Sequence, residues 1–288
     1  MEKANQYLSI GHYSPLTIRS YLGELRFIFV YYADGDPLDL TEDMIMTYLL
    51  YLGKTLGCSR VKCKMAAQAI SFFMRHVAKR PYAIPTVIYP RPNKKFPAVM
   101  SQQEIIKILD CVQNLKHRCI LMLLYSTGMR VSEIANCRIC DIDSTSMRIK
   151  VSQGKGAKDR YTILSQQVLL ELRDYYRIYK PQEYLFNGYK PGQRYSQRSI
   201  QHIMQSALLQ AGFENKQYSV HTIRHSFATH LLDNGTDLFT IKELMGHNNL
   251  QTTLQYLHLS TKRINDVVSP YDALMPAKNS NIIGKNKK

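Results

Sequence analysis

A chain of 288 residues with 38 Lys and Arg against 22 Asp and Glu has a formal charge of +16 and is long enough for two domains with a core each. Residues 1–99 hold 13 basic and 7 acidic side chains and residues 100–288 hold 25 and 15, so no single basic tail is the source and a polyanion such as nucleic acid is the expected partner. No run approaches the roughly eighteen apolar residues of a membrane span and no leader pattern opens the chain, so a cytoplasmic protein is expected.

The predicted elements begin at Ser14, an N-cap followed by Pro15 at the first helical position and by Ile18, Tyr21, Leu22, Leu25 and Phe29 at helical spacing. Thr41, with Glu42 and Asp43, opens a second helix carrying Ile45, Tyr48, Leu49 and Leu52, which Gly53 is expected to stop. Ser59 opens a third, with Val61, Met65, Ile70, Phe73 and Val77 as its apolar stripe. Arg60, Lys62 and Lys64 crowd its first turns, where cations oppose the helix dipole, and they are read as a phosphate-contacting face. Prolines 81, 85, 90, 92 and 97 then break all regular structure, with Lys94 and Lys95 among them as further candidate DNA contacts. The boundary is set near residue 95, giving a helical domain 1–95 whose linker starts at about 81, and a second domain 96–275.

Ser101 and Glu104 form a capping-box signature, and a helix and the apolar run Ile120–Tyr125 lead into Ser126-Thr-Gly-Met-Arg-Val-Ser-Glu133. Met147–Ser152 alternates with period two, Gly154-Lys-Gly-Ala-Lys158 supplies turn residues and Tyr161–Leu164 resumes strand composition, which together predict a hairpin. Helices are expected over Ile200–Ala211, His221–Leu232, Leu238–Met245 and from about Leu250 to His258, and residues 276–288 read as a basic disordered tail. The fold class is therefore mainly α with a small β-hairpin. The six cysteines are scattered; Cys137 and Cys140 have zinc-knuckle spacing but no matching second pair, so neither a disulfide framework, a structural metal nor a cofactor is expected.

His221 and Arg224 share a helix face by their i, i+3 spacing, Gly246-His247 follows a helix end, and Tyr256 lies nine residues on. In this order the chain resembles the tyrosine recombinases, the phage-integrase family that includes Xer proteins. Thr127-Gly-Met-Arg-Val-Ser-Glu133 is similar to the first arginine box, Gly154-Lys-Gly-Ala-Lys-Asp-Arg160 to the lysine hairpin, His221-Thr-Ile-Arg-His-Ser-Phe-Ala-Thr-His230 to the second box, and Leu244-Met-Gly-His247 with Thr252-Thr-Leu-Gln-Tyr256 to the third. The resemblance implies a SAM-like core-binding domain before an α+β catalytic domain, and a homotetramer on two synapsed duplexes. It also implies a catalytic set of Arg130, Lys155, His221, Arg224, His247 and the nucleophile Tyr256, with Glu133 in support. Lys158 is a second lysine in the same turn and a candidate DNA contact; the Gly-Lys-Gly arrangement favours Lys155 as the catalytic one.

The chemistry suits these residue types. In-line attack on a phosphodiester builds charge on non-bridging oxygens, which guanidinium forks meet bidentately in place of a metal ion. Tyrosine, with a pKa near 10, needs a base such as His221, and the departing 5′-oxygen needs a proton, which Lys155 can give. A 3′-phosphotyrosine would retain the ester energy, so neither ATP nor metal is required. His225 and His230 are read as structural. A type IB topoisomerase and a non-cutting DNA-binding accessory protein are the alternatives; the latter would have no use for Tyr256 or Lys155.

Overall fold

Side-chain caps fix the starts of the helices. In the computed structural model, which describes residues 1–80, 97–152, 159–190 and 192–259, Ser14, Thr41 and Ser59 accept backbone N–H bonds from Thr17, Met44 and Lys62 at 3.1, 3.3 and 3.3 Å. Ser101 and Glu104 form the full capping box, at 3.2 and 2.8 Å. The helices so capped fall into two compact units, Met1–Lys94 and Lys95–Lys288.

Among the described residues, the regular elements of the first unit are all helical, chiefly α1 (Glu2–Ile10), α2 (Pro15–Tyr31), α3 (Glu42–Leu50) and α4 (Arg60–His76). Sequence reading starts one helix too late, because α1 has only two buried residues, Ala4 and Leu8, and so lacks a strong apolar stripe. Gly53 does not stop α3. The chain continues through a π-helical segment, Tyr51–Thr55, with Leu52 buried, and turns at Gly57, whose φ is +59°. The face assigned to α4 also needs correcting. Ile70 and Phe73 are buried, but Val61 is 75% exposed, and the inner face is completed by Ala66, Ala67 and Ala69, whose small side chains let α4 approach α2.

The second unit is built around α6 (Leu115–Thr127), whose Cys119, Ile120, Leu121, Leu123 and Leu124 are fully buried. A helix apolar nearly all round belongs in the middle of a core, and α8 (Gln166–Tyr179), α9 (Gln197–Gln210) and α10 (Val220–Asp233) pack against it. Between α5 (Gln102–Asp110) and α6 on one side and α8 on the other come α7 (Val131–Asn136) and a three-stranded antiparallel sheet in the order β1 (Ile142–Asp143), β2 (Arg148–Val151), β3 (Arg160–Ile163). The predicted hairpin pairs Arg148 with Ile163 and Val151 with Arg160. Its turn, residues 153–158, lies outside the described residues, as do the proline-rich linker 81–96 and the tail. Helix α11 (Leu238–Met245) ends at Gly246, and α12 (Gln251–Leu254) runs into a 3₁₀ turn, Gln255–His258.

Gly128 caps α6 in the left-handed region, with φ +60°, where α6, α10 and α11 converge. A Cβ there would stand 2.3 Å from Phe227 Cδ1 and 3.0 Å from Met245 Sδ. Gly128→Ala is therefore expected to combine left-handed strain with a ring clash, costing about 3 kcal/mol and lowering the calorimetric Tm by roughly 6–12 °C; a Tm unchanged within 1–2 °C, about half a kcal/mol, would contradict the packing described.

Candidate active site

The left-handed cap at Gly128 turns the chain sharply and delivers Arg130 to the N-cap position of α7. Glu133, at the third position of that helix, reaches back: its Oε2 accepts the Arg130 amide at 2.7 Å and its Oε1 the Arg130 guanidinium at 2.8 Å. From β3, Arg160 donates a parallel pair to the same carboxylate, Nη1 to Oε1 at 2.8 Å and Nη2 to Oε2 at 2.7 Å. Arg224, on the second turn of α10, has its Nη1 4.0 Å from Oε2. One buried carboxylate therefore holds three guanidiniums from three separate segments.

The other anchor is the main chain at the end of α11. Helix C-terminal carbonyls lack intrahelical donors and carry partial negative charge. Three consecutive ones are taken here by the three arginines: Leu244 by Arg160 Nε at 3.0 Å, Met245 by Arg224 Nη2, and Gly246 by Arg130 Nη2 at 3.2 Å. Arg224 also donates to the Gly128 carbonyl. The arrangement requires glycine at 246, which has φ +61° and against which the Arg160 side chain lies so closely that a Cβ would be 2.8 Å from its Cδ and Nε.

Electrostatics follow from burial and from these pairs. Burial alone would raise the Glu133 carboxyl, but the hydrogen bonds and charge of Arg160, then Arg130, hold it down at about 2. Burial, then the charge of Arg130, lowers Arg224 to about 10, so it remains cationic at neutral pH. Burial foremost, then neighbouring cations, pushes His247 down to about 3; burial foremost, then His221 and Arg224, pushes His225 down to about 4. Both imidazoles are neutral at pH 7.

Tyr256 is 1% exposed, packed with Phe227, Ala228, Leu232, Ile241 and Met245. Its phenol oxygen is 3.1 Å from His225 Nδ1, and its ring lies nearly parallel to His247, with centroids 6.2 Å apart. His247 Nδ1 is 2.9 Å from the Thr253 hydroxyl, which orients the ring. Burial raises the phenol pKa above its ordinary value, against the lowering effect of Arg224.

The structure thus brings Arg130, Glu133, Arg224, His247 and Tyr256 into one cluster. His221 is exposed on the first turn of α10, near His225. Lys155, Lys158, Lys94 and Lys95 lie outside the described residues. Arg60 and Lys64 are on the first two turns of α4; Lys62 is engaged within its own unit, its ammonium 2.6 Å from the buried Glu24 and 4.6 Å from the Phe27 ring centroid. Sequence reading missed two participants. His225, read as structural, touches the phenol, and Arg160, the last residue of the lysine motif, grips Glu133. His230 hydrogen-bonds Tyr125 at 2.9 Å, away from the cluster. Among the described residues no group of three or more His, Cys, Asp or Glu could hold a metal ion, and no helix is long and apolar enough to cross a membrane.

A mainly helical unit that gathers arginines, neutral imidazoles and a buried tyrosine in one cluster presents side chains suited to phosphoryl transfer, as the resemblance to the tyrosine recombinases led one to expect. Residues 98–263 match the phage integrase family and residues 1–84 its N-terminal SAM-like domain. The chain is 34% identical to a protein named as an integrase/recombinase in Sinorhizobium fredii over 95% of this chain and 88% of that one, and 32% identical to the tyrosine recombinase XerC of Myxococcus xanthus over 91% and 92%. The crystal structure of a lambda integrase tetramer bound to a Holliday junction shares the fold, at 17% identity and a TM-score of 0.69, over 88% of this chain and 75% of that one. The chain belongs to the phage integrase family and is a tyrosine-type site-specific recombinase.

The depressed Glu133 carboxyl has a consequence for stability. Its contribution is fully present above its ordinary value near 4.5 and is lost as pH falls from there through about 2, and it is on the order of 3 kcal/mol. Urea unfolding of wild type is expected to show that loss, and Glu133→Gln, already destabilised at pH 7 because it strands three guanidiniums, is expected to lack it. An identical acid dependence in both proteins would count against the carboxylate as the anchor.

Proposed function

We propose that the chain cleaves and rejoins double-stranded DNA through a 3′-phosphotyrosine on Tyr256, as a homotetramer on two synapsed sites, in the cytoplasm where its DNA substrate lies. The observation that carries the reading is the charge balance around Glu133. Three guanidiniums against one carboxylate leave two positive charges, and a phosphodiester attacked by a phenolate carries two negative ones in total. Arg130 and Arg224 are proposed to clamp the non-bridging oxygens. If Thr253 donates to His247 Nδ1, the imidazole proton sits on Nε2 and is available to the same phosphate. The tetramer and the DNA partner are supported by the lambda integrase assembly on its junction.

The proton of Tyr256 goes to an imidazole at the start of α10. The sequence motif favours His221, whereas the 3.1 Å hydrogen bond favours His225, and cleavage rates of His221→Asn and His225→Asn separate the two. No cofactor is proposed.

The reading is tested by incubating the chain with a random-sequence duplex library and sequencing the DNA that stays covalently attached after denaturation. Tyr256→Phe is expected to fold, bind duplex and give no adduct; a surviving adduct would move the nucleophile elsewhere. Arg130→Ala and Arg224→Ala are each expected to slow cleavage at least about 100-fold, with duplex affinity within a few-fold, because many other cations share the binding. Parallel loss of binding would mean that they merely hold DNA. Lys155 is proposed as the acid that protonates the 5′-oxygen. Replacing that bridging oxygen with sulfur, which leaves readily as a thiolate, is expected to restore cleavage by Lys155→Ala and not by Tyr256→Phe. Rescue of Lys158→Ala instead would reassign the acid.

A further inference from the structure

Arg160 differs from the other two arginines in how its donors are spent. Its side chain is 11% exposed, both terminal nitrogens are on Glu133, and its Nε is on the Leu244 carbonyl. A guanidinium with three of its five N–H groups fixed on protein acceptors, and with Gly246 packed against its Cδ, Nε and Cζ, is fastened on every side. It is also the first residue of β3, two positions after Lys158 in the sequence.

We propose that Arg160 is a positioning residue for strand cleavage: it locks the Glu133 carboxylate in the orientation that aims Arg130. The inference rests on the recombinase reading and extends it to a residue outside the catalytic set. The bidentate pair leaves Glu133 one rotamer, and in that rotamer the carboxylate accepts both the Arg130 amide and the Arg130 guanidinium. Without Arg160, the carboxylate would keep Arg130 and the more distant Arg224 as cationic neighbours, with His225, His247 and Tyr256 as further titratable groups beside the cluster. Lysine would supply charge but no fork, so it would leave Glu133 ionised and its orientation loose.

The test uses the full-length chain and its recovered DNA site, comparing wild type with Arg160→Met and Arg160→Lys, each alone and in a Glu133→Gln background. Two readouts are followed: single-turnover adduct formation, and the carboxyl titration of Glu133 by ¹³C NMR. Arg160→Met is expected to cleave about 100-fold more slowly with duplex affinity within a few-fold, since displacements near 1 Å cost that much. Its Glu133 is expected to titrate above the depressed wild-type carboxyl, because the fork and charge that hold it down are gone. Arg160→Lys is expected to keep the low titration and still cleave slowly. In the Glu133→Gln background, neither substitution should change the rate more than about 3-fold, since there is no carboxylate left to orient. Wild-type rates in Arg160→Met, or a loss of the same size in the Glu133→Gln background, would overturn the proposal. If wild type formed no adduct on any duplex, the recombinase reading would fail, and an unshifted Glu133 titration in Arg160→Met would independently sink this one.

Discussion

Three guanidiniums crowded into one buried place repel one another, and the catalytic unit is arranged around holding them there. Two like charges about 5 Å apart cost roughly 3 kcal/mol at the effective dielectric of a protein site, and desolvation adds to that. The opposing terms are a single carboxylate and the negative end of a helix. Glu133 accepts from Arg130 and Arg160 and lies 4.0 Å from Arg224, while the carbonyls of Leu244, Met245 and Gly246 accept one arginine each. The cluster stays net positive, as the proposed phosphate clamp requires. The left-handed turns at Gly128 and Gly246 serve the same end: they bring the first box and the end of α11 close enough for side chains to bridge them.

The same positive surroundings govern the other groups. Burial and nearby cations keep His225 and His247 uncharged, so in the resting site neither adds to the positive charge of the three arginines. The phenol is sheltered: burial raises its pKa, and the arginines counter that rise only partly. In the proposed reaction it therefore depends on a neighbouring base more than on intrinsic acidity.

Much of this was legible in the sequence, for identifiable reasons. The caps at Ser14, Thr41, Ser59 and Ser101 and the glycine stop after Met245 are local chemistry, and local chemistry survives folding. The order of the boxes gave the family, and Arg130, Glu133, Arg224, His247 and Tyr256 converge. What was not legible depended on tertiary context. Helix α1 buries too little to show a stripe, and the π-helical turn through Gly53 keeps Leu52 inside where the residue type signals an end. On β3 the alternation is inverted: Arg160 and Thr162 face inward while Tyr161 and Ile163 are exposed, so a polarity rule aims the strand the wrong way and hides Arg160 on the solvent side. Lys62, whose basic surroundings suggest phosphate, is drawn to Glu24, an acid 38 positions away that no periodicity links to it.

The acceptors at the end of α11 belong to the backbone, and that has a consequence for how such a site drifts over evolutionary time. A carbonyl carries no residue signature, so Leu244 could be exchanged for another side chain of compatible shape without altering what its arginine sees. What the anchor cannot absorb is a change of phase. Each residue of an α-helix rotates the chain by about 100°, so inserting or deleting one residue in the last turn would swing all three carbonyls away together. Comparisons across distant relatives should therefore find α11 permissive in composition and strict in length, with alignment gaps there marking chains whose arginines are held in some other way.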